Sequence, residues 1–282
     1  WDVAFDGNIT LGAHVESIGE RAFEEARFHG LTIATAPQHI EERAFTSIYV
    51  SNAIDVQTAL TREQLYLMET PKSIVNLPAK GMIGERAGDV YYETFTHNGQ
   101  REVRINSHDV TKHVDELTIP ETIDGAPVTE IAAYAFQISP FILWRDEQYS
   151  RPKRVNIPKT IRKVGDYAFA DMTDNALDMS AYPNLQHVGK NAFAKNSVTN
   201  VTITPSMTIE EDAFLSTGLT ELVIEPGVTY VPGAFAENNI THVTMPDSVT
   251  TIGNKAFLRN RLTAVTIPNS VTTIGYYAFY GC

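Results

Sequence analysis

A phrase ending in Ala-Phe recurs along the chain, and its spacing limits the possible folds more than any other feature. It reads IGERAF (18–23), IEERAF (40–45), IAAYAF (131–136), VGDYAF (164–169), VGKNAF (188–193), IEEDAF (209–214), YVPGAF (230–235), IGNKAF (252–257) and IGYYAF (274–279). The last five, ending at Phe193, Phe214, Phe235, Phe257 and Phe279, stand 21 to 22 residues apart. A unit that short cannot bury its apolar side alone, so neighbouring units must stack and Phe must meet Phe along the axis.

Each unit carries a second signal upstream of the Phe. In LTAVTIP (262–268) Val265 and Ile267 alternate with Thr266, the period of a half-buried strand. ITHVTMP (240–246), LTELVIE (219–225), VTNVTIT (198–204) and LTIP (117–120) fill the same place. A second extended piece such as SVTTI follows, then a tight coil carrying Ala-Phe. Ala before Phe is expected where the coil passes too close to the next turn for a larger side chain. Asn196, Asn238 and Asn260 stand three residues after Phe, where Thr217 and Cys282 also fall. An amide there can satisfy loop backbone groups as an inward polar ladder.

The phrases ITHVTMPDSVTTIGNKAFLRN (240–260) and LTAVTIPNSVTTIGYYAFYGC (262–282) resemble the BspA-like (Treponema pallidum type) leucine-rich repeats. The resemblance covers 117–282 and, less closely, 8–45. It implies a mainly β repeat solenoid, a right-handed superhelix with one parallel strand per repeat and short irregular or helical coils opposite. It also implies an extracellular or surface protein of bacteria, some members being adhesins.

The pattern breaks in three places. Residues 46–88 lack the Ala-Phe phrase but keep IVNLP (74–78), AIDVQ (53–57) and IGERA (83–87), a copy of 18–22 with Gly88 in the Phe position; they read as worn repeats. From 89 to 116, apolar and polar residues alternate on both sides of Asn98-Gly99, the signature of a hairpin that caps or connects the arrays. Phe136 and Phe169 are 33 residues apart, and the surplus falls in an insertion at 137–154 bearing Phe141, Ile142, Leu143 and Trp144. Large apolar groups there either fold back on the scaffold or form a contact patch. The expected organisation is 1–88, divergent after 45; 89–116 as hairpin; and 117–282 as regular repeats. Cys282 sits in the Asn position of an unfinished unit, which predicts that the natural chain continues, and with Trp1 in place of Met any targeting segment is expected to have been removed or to lie outside this sequence.

Composition narrows the functions. A net charge of -12 over 282 residues opposes a nucleic-acid surface, whose affinity comes from clustered Lys and Arg. No run of 18 apolar residues occurs in the sequence. One cysteine, Cys282, excludes an internal disulfide framework and a cysteine-built zinc site. None of the 8 histidines falls in a recognised ligand spacing. HDVTKHVDE (108–116) gathers two of them with carboxylates, and reads as a solvated connector in preference to a metal site. The pairs Glu24-Glu25 and Glu41-Glu42 and the run Glu210-Glu211-Asp212 lack a calcium-loop pattern and read as exposed coil positions. Asn8, Asn200 and Asn239 begin N-x-T sequons. No nucleophile elbow, phosphate-cradling loop or dinucleotide fingerprint is written in the chain, so neither catalysis nor a cofactor is expected.

What remains is a surface. If the topology is that of the resembled family, Asn156, Thr202, Val223, Thr244 and Thr266 form an outward stripe, flanked by Arg154, Asn200, Glu221, His242 and Ala264. Thr also favours strands by propensity alone, so the same stripe is compatible with plain sheet. Phe141 and Trp144 of the insertion and the divergent 46–88 stretch are equal candidates for contact. The expected function is adhesin-like binding of a host or matrix protein, or of a surface glycan. A passive spacer that displays another domain is the alternative.

Overall fold

A computed structural model describes residues 8–23, 26–35, 37–41, 44, 49–56, 75–76, 85–108, 114–137 and 151–282. The chain divides into two compact units: residues 1–93 with 109–112 and 138–150, and residues 94–108 with 113–137 and 151–282.

In the first unit, strands Asn8–Leu11, Arg27–Ile33, Tyr49–Val56 and Val75–Asn76 pair side by side in that order, each parallel to the next. Ser17–Ile18 pairs in parallel with His39–Ile40. Leu11, Ile18, Leu31, Ile33 and Ile40 are buried, as the alternation of apolar residues requires. The coil after Ile18 turns through Arg21 at φ 59° and joins the next coil by a bond from the Phe23 N–H to the Ala44 carbonyl, 2.7 Å. The second IGERA behaves differently from the sequence expectation. Glu85–Ala87 is a strand, antiparallel to the start of Val90–His97, with Gly88 at φ 60° making the turn.

In the second unit the strands of the L-T-x-V-T-I phrases and their equivalents build one ladder and the short strands before the Ala-Phe coils another. Glu116–Thr118 pairs with Arg154–Asn156, and Ala176–Asp178, Ser197–Ile203 and Glu221–Ile224 pair in sequence, all parallel. Leu117, Val155, Leu177, Val201, Leu222 and Ile224 point inward and are buried. The expected strands over 240–246 and 262–268 are not formed as strands, although Val243 and Met245 still alternate inward. In the second ladder Gln100–His108 lies parallel to Ala126–Ile131, followed by Lys163–Val164, His187–Val188 and Thr208–Ile209. Tyr230–Val231, Thr251–Ile252 and Thr273–Ile274 repeat the arrangement. The hairpin turns where its sequence says, with Asn98 at φ 50° and Gly99 at φ 77°. Opposite the strands the chain runs in irregular coils, and Met179–Ala181 forms a single 3-10 turn.

The coils show why the Ala-Phe phrase is strict. Phe136, Phe169, Phe193, Phe214, Phe235 and Phe257 are fully buried. Rings of successive coils stack at 5.0 Å (136 on 169), 5.3 Å (169 on 193), 5.5 Å (193 on 214), 5.7 Å (214 on 235) and 5.4 Å (257 on 279). Two residues before and two after the Phe, the backbone is left-handed: Tyr167 and Asp171, Asn191 and Lys195, Asp212 and Ser216, Lys255 and Arg259. This geometry turns alternate N–H groups toward the next coil. Tyr167, Phe169 and Asp171 donate to the carbonyls of Lys190, Ala192 and Ala194 at 2.9, 2.8 and 2.8 Å, and Asn191, Phe193 and Lys195 repeat the pattern one coil on. A left-handed L-residue costs roughly 1–2 kcal/mol, so a coil holds this shape only with a neighbour to accept its bonds.

Asparagine and glycine complete the step. Asn238 accepts from Thr217 N and Leu219 N, both at 3.0 Å, and donates to the Phe214 carbonyl at 2.8 Å, so its amide ties two coils together. Asn196 and Asn260 reach back to the Phe169 and Phe235 carbonyls in the same way, and the Cys282 thiol reaches that of Phe257. Gly189 and Gly275 sit where the preceding coil's Asp166 and Asn254 bend inward to bond the N–H groups of Lys190 and Tyr276. A Cβ on Gly189 would lie 2.3 Å from Asp166 Oδ1, and one on Gly275 2.5 Å from Asn254 N. Close approach therefore falls on this glycine as well as on the Ala, whose members from Ala135 to Ala256 are all fully buried.

Candidate partner-binding face

With the coils committed to stacking, the outward side of the first strand ladder is where side chains stand free of that duty. Alternation along each strand sends one residue in two outward. The register sets Thr118 beside Asn156, and Thr202 beside Val223. Asn156, Val223, Thr244 and Thr266 are exposed and Thr202 is half-buried. Val223 is the apolar exception, 44% exposed in a ladder whose inward neighbours Leu222 and Ile224 are buried.

The two ends of this face differ in charge. At the end nearer residue 116, acids and bases are spent on one another. Arg154 Nη2 bonds Glu116 Oε2 at 2.8 Å, Asn156 Nδ2 bonds Glu116 Oε1 at 2.7 Å, and Lys153 Nζ lies 2.9 Å from Asp115. Hydrogen bonds and charge from Lys153 hold the Asp115 carboxyl below its ordinary range, and Arg154 does the same for Glu116. The bases are raised in turn. All four groups are solvent-exposed, so these pairs set local geometry more than stability. Towards residue 266 the face carries His242, Thr244, Ala264 and Thr266, with His242 Nε2 3.4 Å from the Thr244 hydroxyl. The side chains of this part are small apart from His242, and none is an acid, Lys or Arg.

The sequence stripe omitted one strand. Ala176–Asp178 stands between Arg154–Asn156 and Ser197–Ile203 in the chain and pairs with the latter, adding the exposed Asp178 to the outward set. Its carboxylate accepts from Ser180 N at 3.0 Å and Ser180 Oγ at 2.6 Å. NALDMS has none of the V-T-I wording of its neighbours, and only its spacing from Phe169 and Phe193 marks the place. Phe141 and Trp144 lie outside the described residues, as does most of 46–88.

The proposed histidine and carboxylate cluster separates. His108 is not part of a solvated connector: it is 1% exposed and stacks on Phe136 at 5.4 Å. Asp115 is at the surface with Lys153, and 109–113 lie outside the described residues. Among the described residues no group of three or more His, Cys, Asp or Glu is placed to hold a metal ion. Of the acidic run, Glu210 and Glu211 are exposed, while burial, with Glu211 beside it, pushes the Asp212 carboxyl up. Among the described residues no helix is long and apolar enough to cross a membrane.

Residues 6–83, 148–262 and 230–282 match the BspA type leucine rich repeat region, in 6 copies. No curated protein matches the sequence. Solved structures similar to the chain include a leucine rich cell surface protein from Faecalibacterium prausnitzii, 23% identical over 70% of this chain and 53% of that one, TM-score 0.48. A leucine-rich repeat protein from Eubacterium ventriosum is 16% identical over 98% of this chain and 65% of that one, TM-score 0.39. One from Bacteroides ovatus is 18% identical over 70% and 62%, TM-score 0.37. The chain thus spans about half to two thirds of the length of these proteins.

Proposed function

Because this chain belongs to the BspA type leucine-rich repeat family, we propose that it is a bacterial surface protein that binds a protein or glycan partner through its strand face, without catalysis. The observation that carries the reading is the division of labour in the second unit. The described coils are tied to their neighbours by backbone bonds and stacked Phe rings, and at 196, 238 and 260 by inward Asn, whereas the side chains of Asn156, Thr202, Val223, Thr244 and Thr266 point outward and take no part in that stacking. A regular row of exposed positions is a surface that substitution can tune without touching the core. The extracellular location rests on the family resemblance. In this reading 1–88 and 117–282 are two repeat arrays with 89–116 as connector, and Phe141 and Trp144 add an aromatic anchor from the insertion.

The test is binding of the purified chain to immobilised host matrix proteins and glycans. Val223→Arg with Thr244→Arg should weaken any interaction by about tenfold or more by replacing two small exposed side chains with bulk and added charge. Deleting 137–154 or 46–88 examines the other two candidate segments. Interactions that survive all three changes would overturn the assignment, and failure to bind any member of the panel would favour the spacer.

A further inference from the structure

The second unit opens on a strand that imitates a coil. In Gln100–His108, Ile105 lies opposite Ile131, so the strand occupies the place of a preceding repeat. The His108 ring stacks on Phe136 at an interplanar angle of 15°, as a Phe does elsewhere. Its Nδ1 lies 3.4 Å from the Ala135 carbonyl. The equivalent carbonyls of Ala168, Ala192, Ala213, Ala234 and Ala278 each accept the Phe N–H of the coil before. His108 therefore supplies both the ring and the donor that close the Phe column at this end.

One carboxylate fastens that strand. Glu102 is 7% exposed. It accepts from Thr129 Oγ1 at 2.6 Å and from Arg162 Nη2, and His97 Nδ1 stands 3.5 Å away. It thereby joins both hairpin strands to Ala126–Ile131 and to the repeat that contains Arg162. Of the other charged groups on these elements, Arg104 and Glu130 bond each other at 2.7 Å, and Glu93, Arg101 and Lys163 are exposed.

We propose that Glu102 is an acid-released latch: ionised, it clamps the hairpin strand over the end of the Phe column, and on protonation it lets that strand loosen while the later repeats remain stacked. Taking up a proton turns one oxygen from acceptor to donor and removes the countercharge of Arg162. Arg162 then faces a neutral carboxyl. Burial works against ionisation of Glu102, but the hydrogen bonds from Thr129 and Arg162, with the charges of Arg162 and His97, prevail and hold the carboxyl below its ordinary value of 4.5. A lowered folded pKa contributes stability that is complete above that value and is lost as pH falls through the folded one. The latch is therefore closed at neutral pH and opens below 4.5.

Hydrogen exchange read by mass spectrometry on the whole chain tests this, with protection corrected for the intrinsic pH dependence. On acidification from pH 6 to below 4.5, peptides from 100–108 should lose protection relative to those from 197–203 as Glu102 takes up its proton. Glu102→Gln should show that loss already at pH 7, with 197–203 unchanged and little further loss on acidification. Thr129→Val, which removes one bond and no charge, should show a smaller loss at pH 7 and keep the pH response. Equal loss in both segments of the wild type, or a Glu102→Gln protein as protected over 100–108 as the wild type at pH 7, would overturn the latch.

Discussion

The coil edge and the strand face of the second unit come from the same repeats but answer to different constraints. On the coil edge the recurring residues are specified from outside their own repeat: Phe193 by the rings on either side, Asn238 by the backbone of two coils, Gly189 by Asp166 of the coil before. On the strand face Asn156, Val223 and Thr266 share a position and little else. The difference teaches that repetition here records stacking, and that the strand face is free to vary because stacking does not specify it.

Substitutions should reproduce this contrast in order of size. Phe193→Ala, which removes a fully buried ring stacked on two others, should cost about 3–5 kcal/mol in urea unfolding. Asn238→Ala strands the N–H groups of Thr217 and Leu219 and the Phe214 carbonyl, and should cost about 2–3 kcal/mol by the same measurement. Asp212→Asn tests the coil edge in the opposite direction. Burial raises this carboxyl's folded pKa, so its ionisation weakens the fold at pH 7, and the amide should gain about 0.5 kcal/mol or less after solvent screening. The gain should disappear as pH falls below the range in which unfolded Asp titrates, and a gain that persisted there would place the cause elsewhere. Last, Thr244→Ala and Thr266→Ala on the face should change stability by less than about 0.5 kcal/mol. A cost above 2 kcal/mol for either would mean that the face also bears structural load and would erase the contrast.

The repeat, the hairpin at Asn98-Gly99, the buried Phe column and the Asn ladder were legible in the sequence because each is enforced at several equivalent positions. Single positions were not. Glu20-Arg21-Ala22 turns as a coil with Arg21 left-handed, whereas the identical Glu85-Arg86-Ala87 extends as a strand. The first is followed by Phe23, whose N–H bonds the next coil, and the second by Gly88, which supplies a turn and no ring. Local wording was equal, and packing chose between the two conformations. His108 was misplaced for a related reason: its imidazole fills a Phe slot that the phrase does not spell. In the first ladder, the strand bearing Asp178 was missed because NALDMS lacks the periodic wording, while the strands bearing Thr202 and Val223 could be placed from the repeat.

The sequence alone determined that the chain stacks, at what period, and which residues line the column, because a short unit that cannot bury its own apolar side must write its contacts at a fixed interval. Tertiary structure alone decided that His108 closes the Phe column, that Glu102 meets Arg162 across 60 positions of chain, and that 240–246 alternate without pairing as a strand. These outcomes depend on distances between segments remote in sequence, and no local pattern carries that information.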